Sequence, residues 1–306
     1  MANHGQSVWQ GLWRLSDPKI SLASFAGMFL GACAAARDGA LSWGWLALTV
    51  LGIFCIEIAK NASGEIFDFD SGTDQAVAPE DRSPFSGGKR VLIDGLLTRR
   101  HTIAISAVTY LLGIALGLII VAYREPRVLW LGVVGVAFAF FYHAPPFKFS
   151  YRGLGELVVG LCYGPLITAG TYLVQRGAIT LETISVSTVL GLLIAGFLWV
   201  NEFPDYRADL ASGRLNLVVR LGRPKAARAF LVIVMVAAIG LMLLPLAGLP
   251  VAVWLGALFL IPAAIASRIL LQHAEVTSRV ITAQGMTLLS FALYALGSGV
   301  GLLVGG

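Results

Sequence analysis

Nine apolar runs, each long enough to cross a lipid bilayer, constrain the fold of this chain more than any other feature of its sequence. They cover residues 20–36, 42–60, 102–122, 128–144, 154–175, 183–201, 227–247, 250–272 and 281–304. A transmembrane helix needs about 20 mostly apolar residues. Only 13% of the 306 residues are charged and 57% are hydrophobic, which excludes a water-soluble globular protein. We therefore predict an all-α polytopic membrane protein with nine transmembrane helices.

The basic residues are distributed unevenly between alternate loops. With the N-terminus in the cytoplasm, 18 of the 22 Lys and Arg residues fall on the cytoplasmic side, and the exceptions are Arg37, Arg124, Arg127 and Arg176. Cytoplasmic loops of membrane proteins carry such an excess. The pattern predicts a multi-pass protein of the plasma (inner) membrane with a cytoplasmic N-terminus. Loop charges account for the net charge of +5, and we expect no nucleic-acid partner.

Two loops on the predicted cytoplasmic side, residues 61–101 and 202–226, are longer and more polar than the others. They follow the second and the sixth span. The chain therefore has the pattern of a weak internal duplication, with pseudo-repeats at 20–152 and 153–304 in a single domain of residues 1–306. We expect the chemistry of the protein to take place at this one membrane face.

Each of these loops begins with an acidic cluster. The first has four carboxylates within ten residues, at Glu65, Asp68, Asp70 and Asp74. In the second, Asn201, Asp205 and Asp209 are spaced four residues apart, so a helix would place them on one face. Pro204 lies between them and is expected either to kink that helix or to start a new one.

Carboxylates this close together repel one another unless a cation compensates them. Mg²⁺ prefers oxygen ligands, and it commonly combines one or two carboxylates with water and substrate phosphate. Two facing clusters would hold two such ions around one diphosphate. Basic residues nearby are expected to neutralise phosphate oxygens, the arginines through bidentate hydrogen bonds; they are Arg82, Lys89, Arg207 and Arg214. The alternative is that both acidic loops are simply solvated.

At these clusters the sequence resembles the UbiA superfamily of intramembrane prenyltransferases. That family has the motifs N-D-x-x-D-x-x-x-D and D-x-x-x-D after the second and sixth helices of a nine-helix bundle. The branch that prenylates 1,4-dihydroxy-2-naphthoate extends the first motif to F-D-[FY]-x-x-G-x-D, matched by Phe67–Asp74. It extends the second into G-[KR]-x-[TN]-L-x-V-R-L-G, matched by Gly213–Gly222, and its segment between spans four and five resembles Tyr142–Glu156.

The resemblance implies a UbiA-like bundle with a central cavity open to the cytoplasmic face. It carries over Asp68, Asp74, Asp205 and Asp209 as ligands of Mg²⁺ and diphosphate. The chain departs from the family at one position, where Gly64-Glu65 replaces the usual Asn-Asp. Because glycine has no side chain to act as a ligand, either Glu65 or Asn61, which lies one helical turn earlier, is expected to substitute.

The reaction implied by the resemblance is Mg²⁺-dependent transfer of a polyprenyl group from polyprenyl diphosphate to an aromatic acceptor. The expected acceptor is 1,4-dihydroxy-2-naphthoate, in menaquinone biosynthesis. Asp68 and Asp205 are the expected catalytic carboxylates. Lys148, Arg152 and His143 are candidates to hold the acceptor, and structural roles explain them equally well. The remaining residues expected to bind substrate are Asn61, Tyr142, Tyr151 and Asn201.

Several residues of the spans and loops have two interpretations. Aromatic rings at Phe67, Phe69, Tyr142 or Tyr151 would stabilise an allylic cation, although rings at membrane interfaces commonly serve as anchors. Glu57 and Glu156 lie inside predicted spans, where charged groups are usually functional or paired. The three cysteines, Cys33, Cys55 and Cys162, have no metal-like or paired spacing, and we expect them to be passive.

Three other functions fit parts of this pattern. The same fold would act on another acceptor, or it would end the ionisation in cyclisation, as a terpene cyclase does. A cation-coupled transporter would use intramembrane carboxylates to bind ions while the pseudo-repeats rock. Such transport sites usually lie near the bilayer midplane, whereas these carboxylates gather at one predicted face.

Overall fold

The computed structural model describes the backbone of residues 4–305 and the side chains of residues 8–305, and within these limits all regular structure is helical. The helices, in chain order, are α1 (His4–Ser16), α2 (Pro18–Arg37), α3 (Trp43–Asp70), α4 (Arg99–Tyr123), α5 (Val128–Phe141), α6 (Gly155–Arg176), α7 (Leu181–Ala211), α8 (Leu217–Leu221), α9 (Arg223–Ala247), α10 (Val251–His273) and α11 (Thr277–Val304). The all-α prediction is thereby confirmed.

Each of the nine predicted spans coincides with a helix, but only eight of them have full length. Eight helical stretches within the described part of the chain are long and apolar enough to cross a membrane. The ninth, α5, has 14 residues, or about 21 Å at 1.5 Å per residue, against a bilayer core of about 30 Å. The prediction of nine full spans is wrong here, because the chain turns after Phe141 instead of continuing as helix to residue 144.

The helices α3 and α7 are longer than their predicted spans. α3 continues ten residues beyond position 60 to Asp70, and α7 continues ten residues beyond position 201 to Ala211, passing through Pro204. The predicted boundaries place both extensions in loops, although the spacing of Asn201, Asp205 and Asp209 favours a helix in the second. They are helical because they face the interior of the bundle, where Glu65 and Asp209 are each only 3% exposed. Both acidic clusters therefore begin on helices, at one end of the bundle, which we call the acidic end.

At the opposite end, arginines hold helix termini together. Arg124 donates to the carbonyls of Val174 and Gln175 at the end of α6, and Arg176 donates to the carbonyl of Ala35 at the end of α2. Cationic side chains stabilise helix C-termini because the last carbonyls lack partners within the helix. Arg37, Arg124, Arg127 and Arg176, the four arginines assigned to the outside, therefore lie away from the acidic end.

Small residues bring α10 and α11 into close contact. An added Cβ at Gly297 would lie 2.6 Å from the backbone carbon of Leu255, and one at Gly301 would meet the backbone of Ala252. Such small residues, four apart, let membrane helices approach closely. The Tyr294 hydroxyl then donates to the Val186 carbonyl of α7 across 2.7 Å. This contact joins α7 to α11 near the start of α7, at the end opposite its acidic residues.

The Tyr294 hydrogen bond yields a test of this packing. Because Tyr294 is fully buried, Tyr294→Phe removes the side-chain hydrogen bond to the Val186 carbonyl and should destabilise the protein by about 1 kcal/mol. Thermal unfolding of the purified protein in detergent would measure this change. Tyr123→Phe is the matched control, since that ring is 79% exposed. Equal melting temperatures for the two variants would contradict the assigned contact.

Candidate functional site

A large cavity of about 780 Å³ lies between the helices and ends among the acidic residues. Its wall on the side of α4 and α5 is apolar and includes Leu118, Val121, Leu129 and Val133. Its other end is polar. The cavity therefore suits an amphiphilic molecule with a hydrocarbon tail and a charged head.

The first acidic cluster lines the polar end from α3 and the turn after it. Glu65 and Asp68 extend from the last turns of α3, and Asp74 lies four residues beyond the helix. Asp68 pairs with Arg214 and also accepts a hydrogen bond from the Tyr151 hydroxyl at 3.5 Å. Glu65 accepts a hydrogen bond from the backbone N–H of Leu92 at 2.8 Å.

The second cluster lines the same cavity from the last turns of α7. Its residues are Asn201, Glu202, Asp205 and Asp209. Asp205 accepts a hydrogen bond from the Gly87 N–H at 3.2 Å, and Asp209 accepts one from the Asn216 amide at 2.8 Å. Asn216 also caps α8 by accepting from the Val219 N–H. The segment Gly213–Gly222, which extends the second motif, thus orients Asp209 through Asn216.

The two clusters converge on a single guanidinium. Arg214 contacts Asp68 through Nη2, and its Nε lies 3.8 Å from Oδ1 of Asp209. The segment 85–89 closes the remaining side: Gly87 binds Asp205, and the backbone of Gly88, with φ of +77°, lies directly against Asp74. Any side chain at position 88 would collide with the Asp74 carboxylate. The clusters predicted to face each other therefore lie around one space.

Many acceptor oxygens in this space have no donor. The cavity-lining side-chain oxygens without a hydrogen-bond partner in the described part of the chain are Glu57 Oε2, Glu65 Oε2, Asp74 Oδ2, Asn201 Oδ1, Glu202 Oε2, Asp205 Oδ1 and Asp209 Oδ1. Buried acceptors without donors are costly, and an ionised carboxylate has no proton to offer a neighbour. Burial, with the carboxylates of Asp68 and Glu65 nearby, raises the pKa of Asp74 to about 8. This group of unpartnered oxygens therefore favours an added cation.

The carboxylates surround the space without forming a closed cage. Within residues 8–305, no group of three or more His, Cys, Asp or Glu side chains is close enough to enclose a metal ion. A cation held here by one or two carboxylates would therefore take its other ligands from water or from a bound molecule.

Several predicted site residues lie outside the cavity wall. Arg152 is exposed and donates to the Pro146 carbonyl, Lys148 lies over the Tyr151 ring, and the Arg207 side chain is 68% exposed. Arg82 is also exposed. The prediction that these four basic groups face substrate disagrees with their positions, because Arg82, Lys148 and Arg152 lie in segments between the long helices and Arg207 lies on the outward-facing side of α7. Tyr151, predicted to bind substrate, does not line the cavity either, and its hydroxyl contacts Asp68.

The other predicted residues line the cavity or its rim. Lys89 lines the cavity and pairs with Asp17, and Asn61 lines it while donating to the Leu15 carbonyl at 2.7 Å. Tyr142 and Asn201 also line it, whereas Phe67 and Phe69 do not. Glu156 instead accepts from the Leu217 N–H at 2.7 Å and so connects α6 to α8.

A second polar group, missed by the sequence interpretation, lies deeper in the cavity. Lys60 is predicted only as a cytoplasmic-side charge at the end of the second span, but it lines the cavity from α3 and donates to the Tyr163 hydroxyl at 3.0 Å. Glu57, one turn earlier, accepts from Ser24 at 2.6 Å. Tyr163 lies in a π-helical turn that contains Pro165, and such turns commonly occur at functional sites. The sequence feature that indicates this group is the presence of two charged residues, Glu57 and Lys60, in an otherwise apolar helix.

Lys60 and Asp68 are eight residues apart on α3, or about 12 Å along the helix axis. This spacing leaves room for an aromatic ring between the deep cation and the acidic end. His143 lies at the intermediate level, with Nε2 3.5 Å from Oδ2 of Asp68. Burial lowers the pKa of His143 to about 4, so its imidazole is neutral at pH 7.

A membrane-embedded helical bundle whose apolar cavity ends in converging carboxylates and an arginine defines a site for an amphiphilic anion. Residues 24–291 match the model of the UbiA prenyltransferase family. The chain belongs to this family, and it is an enzyme of the prenyltransferase class.

Individual known proteins agree with this assignment. The chain is 26% identical over 226 residues to the 1,4-dihydroxy-2-naphthoate octaprenyltransferase of Bacillus subtilis, covering 72% of this chain and 69% of that protein. It is 30% identical over 164 residues to the 2-carboxy-1,4-naphthoquinone phytyltransferase of Synechocystis sp., covering 53% of this chain but only 50% of that protein.

A solved structure shares the fold. The structure of a UbiA homolog from Archaeoglobus fulgidus, bound to GPP and Mg²⁺, superposes with a TM-score of 0.58 at 14% sequence identity. The match covers 96% of this chain and 99% of that one. At this identity the likeness concerns the architecture of the bundle.

Proposed function

We propose that this protein transfers a polyprenyl group from polyprenyl diphosphate to 1,4-dihydroxy-2-naphthoate in menaquinone biosynthesis, and that the reaction requires Mg²⁺. The observation that carries the proposal is the convergence of unpartnered carboxylate oxygens at the polar end of an otherwise apolar cavity. The names of the two relatives and the GPP and Mg²⁺ bound in the Archaeoglobus fulgidus homolog support it.

The carboxylates fit the requirements of Mg²⁺. Asp68 and Asp74 would hold one Mg²⁺ ion and Asp205 and Asp209 a second, with Glu65 near the first pair. Mg²⁺ typically takes one or two carboxylates and completes its octahedral shell with water and phosphate, which agrees with the open arrangement of this site. When bound, it would stabilise charge on the diphosphate leaving group.

The basic residues of the acidic end would bind the diphosphate directly. Arg214 has a planar guanidinium suited to two phosphate oxygens, and Lys89 lies on the same cavity wall. Both groups pair with carboxylates in the structure, Arg214 with Asp68 and Lys89 with Asp17. Phosphate would replace one of the carboxylates around Arg214, and the cation would compensate the carboxylate released.

The apolar part of the cavity would hold the prenyl tail and exclude water. As the C–O bond of the donor breaks, the diphosphate leaves with the electron pair and an allylic cation forms. Water would capture this cation, so its exclusion is required for transfer. Tyr142 lines the cavity near the acidic end, and its ring face would stabilise positive charge. The acceptor carbon that bears the carboxylate then forms the new C–C bond, and the carboxylate leaves as CO2 while its bonding electron pair restores the aromatic ring.

We also propose Lys60 as the cation that holds the acceptor, in the role first expected for Lys148 and Arg152. Its ammonium lines the cavity, and no carboxylate of the described residues lies within ion-pair distance. An intramembrane charge of this kind is expected to serve a substrate. The acceptor carboxylate would pair with Lys60 and the Tyr163 hydroxyl. The naphthalene ring would then lie between Lys60 and the diphosphate at the acidic end.

The orientation in the membrane is part of the proposal. The separation of Arg37, Arg124, Arg127 and Arg176 from the acidic end supports an N-terminus in the cytoplasm and an acidic end at the cytoplasmic face of the plasma membrane. We further propose that residues 1–306 act as one prenyltransferase domain, with the pseudo-repeat placing one acidic cluster in each half.

The direct test of function is a transfer assay. Purified protein, Mg²⁺ and labelled polyprenyl diphosphate would be incubated with a panel of aromatic acceptors. We expect diphosphate release and a prenylated product with 1,4-dihydroxy-2-naphthoate. Transfer only to another acceptor would correct the acceptor, and no diphosphate release with any acceptor would favour the cation-coupled transporter.

Removal of one charge from either cluster should stop turnover. Asp68→Asn and Asp205→Asn each remove an anionic oxygen from the site, and we expect kcat to fall by about 100-fold or more. Asp70→Asn is the matched control, because Asp70 lies two residues from Asp68 but pairs with Arg99 at 2.8 Å and is 45% exposed. Near-normal activity of either site variant would refute the role of that carboxylate.

Cation binding should depend on pH through Asp74. The pKa of Asp74, raised by burial to about 8, favours the protonated carboxyl at neutral pH, so a cation must displace that proton. The apparent Mg²⁺ affinity should therefore fall roughly tenfold per pH unit as the pH is lowered through 7 and 6. Calorimetric titration of the purified protein would measure it, and Asp74→Asn should flatten the profile. An unchanged slope in that variant would assign the proton elsewhere.

Substitution of Lys60 should affect the acceptor selectively. Lys60→Met keeps the side-chain length and removes the charge, and we expect the KM for the naphthoate to rise by about tenfold or more. The KM for the prenyl diphosphate should change little. Lys225→Met, at an exposed position, serves as the control. A rise confined to the diphosphate KM would instead place Lys60 on the donor.

A further inference from the structure

Gly64 lies in the interior of α3, where glycine is unfavourable compared with alanine. Its neighbour explains its presence. A Cβ added at Gly64 would lie 2.7 Å from Cε1 and 2.9 Å from Nδ1 of the His143 imidazole. These distances are too short for carbon and nitrogen atoms that are not bonded. Only glycine at position 64 therefore leaves room for the imidazole where it lies.

The imidazole occupies the place where a side chain of residue 64 would stand. Residues 64 and 68 are one helical turn apart, so their side chains are neighbours on the same face of α3. The Nε2 atom of His143 lies 3.5 Å from Oδ2 of Asp68, and the His143 side chain is only 13% exposed. His143 therefore reaches from the turn after α5 to the position beside Asp68 that glycine leaves unfilled.

The two substitutes expected from the sequence do not occupy this place. The amide of Asn61 donates to the Leu15 carbonyl, which connects α3 to α1. One carboxylate oxygen of Glu65 accepts from the Leu92 N–H, which connects α3 to the following loop. Both side chains contact other segments, whereas the three atoms nearest to an added Cβ at Gly64 all belong to His143.

We propose that His143 is a positioning residue that replaces the missing side chain of residue 64 and orients Asp68 towards the space shared by the two acidic clusters. This inference rests on the proposed function, because the orientation of Asp68 affects turnover only if Asp68 acts on the diphosphate or its cation. Positions 64 and 143 are then coupled. An imidazole at position 143 requires glycine at position 64, and a larger side chain at position 64 requires a small one at position 143.

The experiment is a mutant cycle on these two positions in the full-length protein. Gly64→Ala should displace the imidazole from Asp68 and lower kcat by about tenfold, with little change in the acceptor KM. His143→Ala should lower kcat similarly. If alanine at position 64 acts only through the imidazole, Gly64→Ala combined with His143→Ala should be no less active than His143→Ala alone.

A compensating pair tests the exchange of roles. Gly64→Asn should be inactive when His143 is present, because the larger side chain meets the ring. Gly64→Asn combined with His143→Ala should recover kcat to within about threefold of the wild type, since an amide then stands beside Asp68. Gly285→Ala is the control for a helical glycine, because no atom lies within 4 Å of an added Cβ there.

A readout independent of turnover accompanies the kinetics. The rise in melting temperature on addition of Mg²⁺ reports how well the folded protein binds the ion. This rise should shrink in Gly64→Ala and His143→Ala and return in the compensating pair. Each variant's melting temperature without Mg²⁺ shows whether it folds.

Two results would overturn the inference. They are wild-type kcat and Mg²⁺ response in Gly64→Ala, and a compensating pair no better than His143→Ala. Failure of the wild-type protein to transfer a prenyl group would instead refute the proposed function. The melting data would still report the coupling between positions 64 and 143.

Discussion

Unneutralised negative charge at the end of an apolar cavity is the constraint on which the rest of this structure depends. Carboxylates from α3 and α7 meet there, and a single guanidinium, that of Arg214, contacts Asp68 and approaches Asp209. One positive charge does not compensate several carboxylates in surroundings of low polarity. The site is therefore arranged to accept further positive charge, and a cation that arrives with a diphosphate supplies what the protein lacks. The same charge in a transporter would be expected near the bilayer midplane.

The surrounding fold keeps these carboxylates together despite their repulsion. Both clusters extend from long helices, so the backbone beneath them cannot relax away as a loop would. At the opposite end of α7, the contact of Tyr294 with Val186 connects this helix to α11, which packs closely against α10. On the other side, Gly87 and Gly88 bring the backbone of the 85–89 segment against Asp205 and Asp74. Glycine is required at position 88 both by its positive φ and by the nearness of the carboxylate.

The site as predicted and the site as folded agree best where a motif lies on a helix. Asp205 and Asp209 both line the cavity because their four-residue spacing follows the helical repeat. Asp68 lines it from the last turns of α3. Agreement is poorer for isolated basic residues. Lys148 and Arg152 belong to the Tyr142–Glu156 segment that resembles the family, but they lie outside the cavity wall. Lys60 shows the opposite error, since it resembled a loop charge and is a cavity residue. Charge alone does not reveal whether a helix faces lipid, solvent or an internal space.

The amino-acid sequence by itself determined the helical membrane architecture, the places of the spans, and the two acidic segments that follow the second and sixth spans. These features are local, because they depend on the length of apolar runs and on the spacing of a few carboxylates. Only the tertiary structure decided that α5 is short, that the acidic segments continue as helix, and that His143 fills the space beside Gly64. The last of these depends on a contact between residues far apart in the chain, 64 and 143, and no local pattern encodes it. The meeting of the two acidic clusters around one guanidinium is of the same kind, since it arises from the packing of the whole bundle.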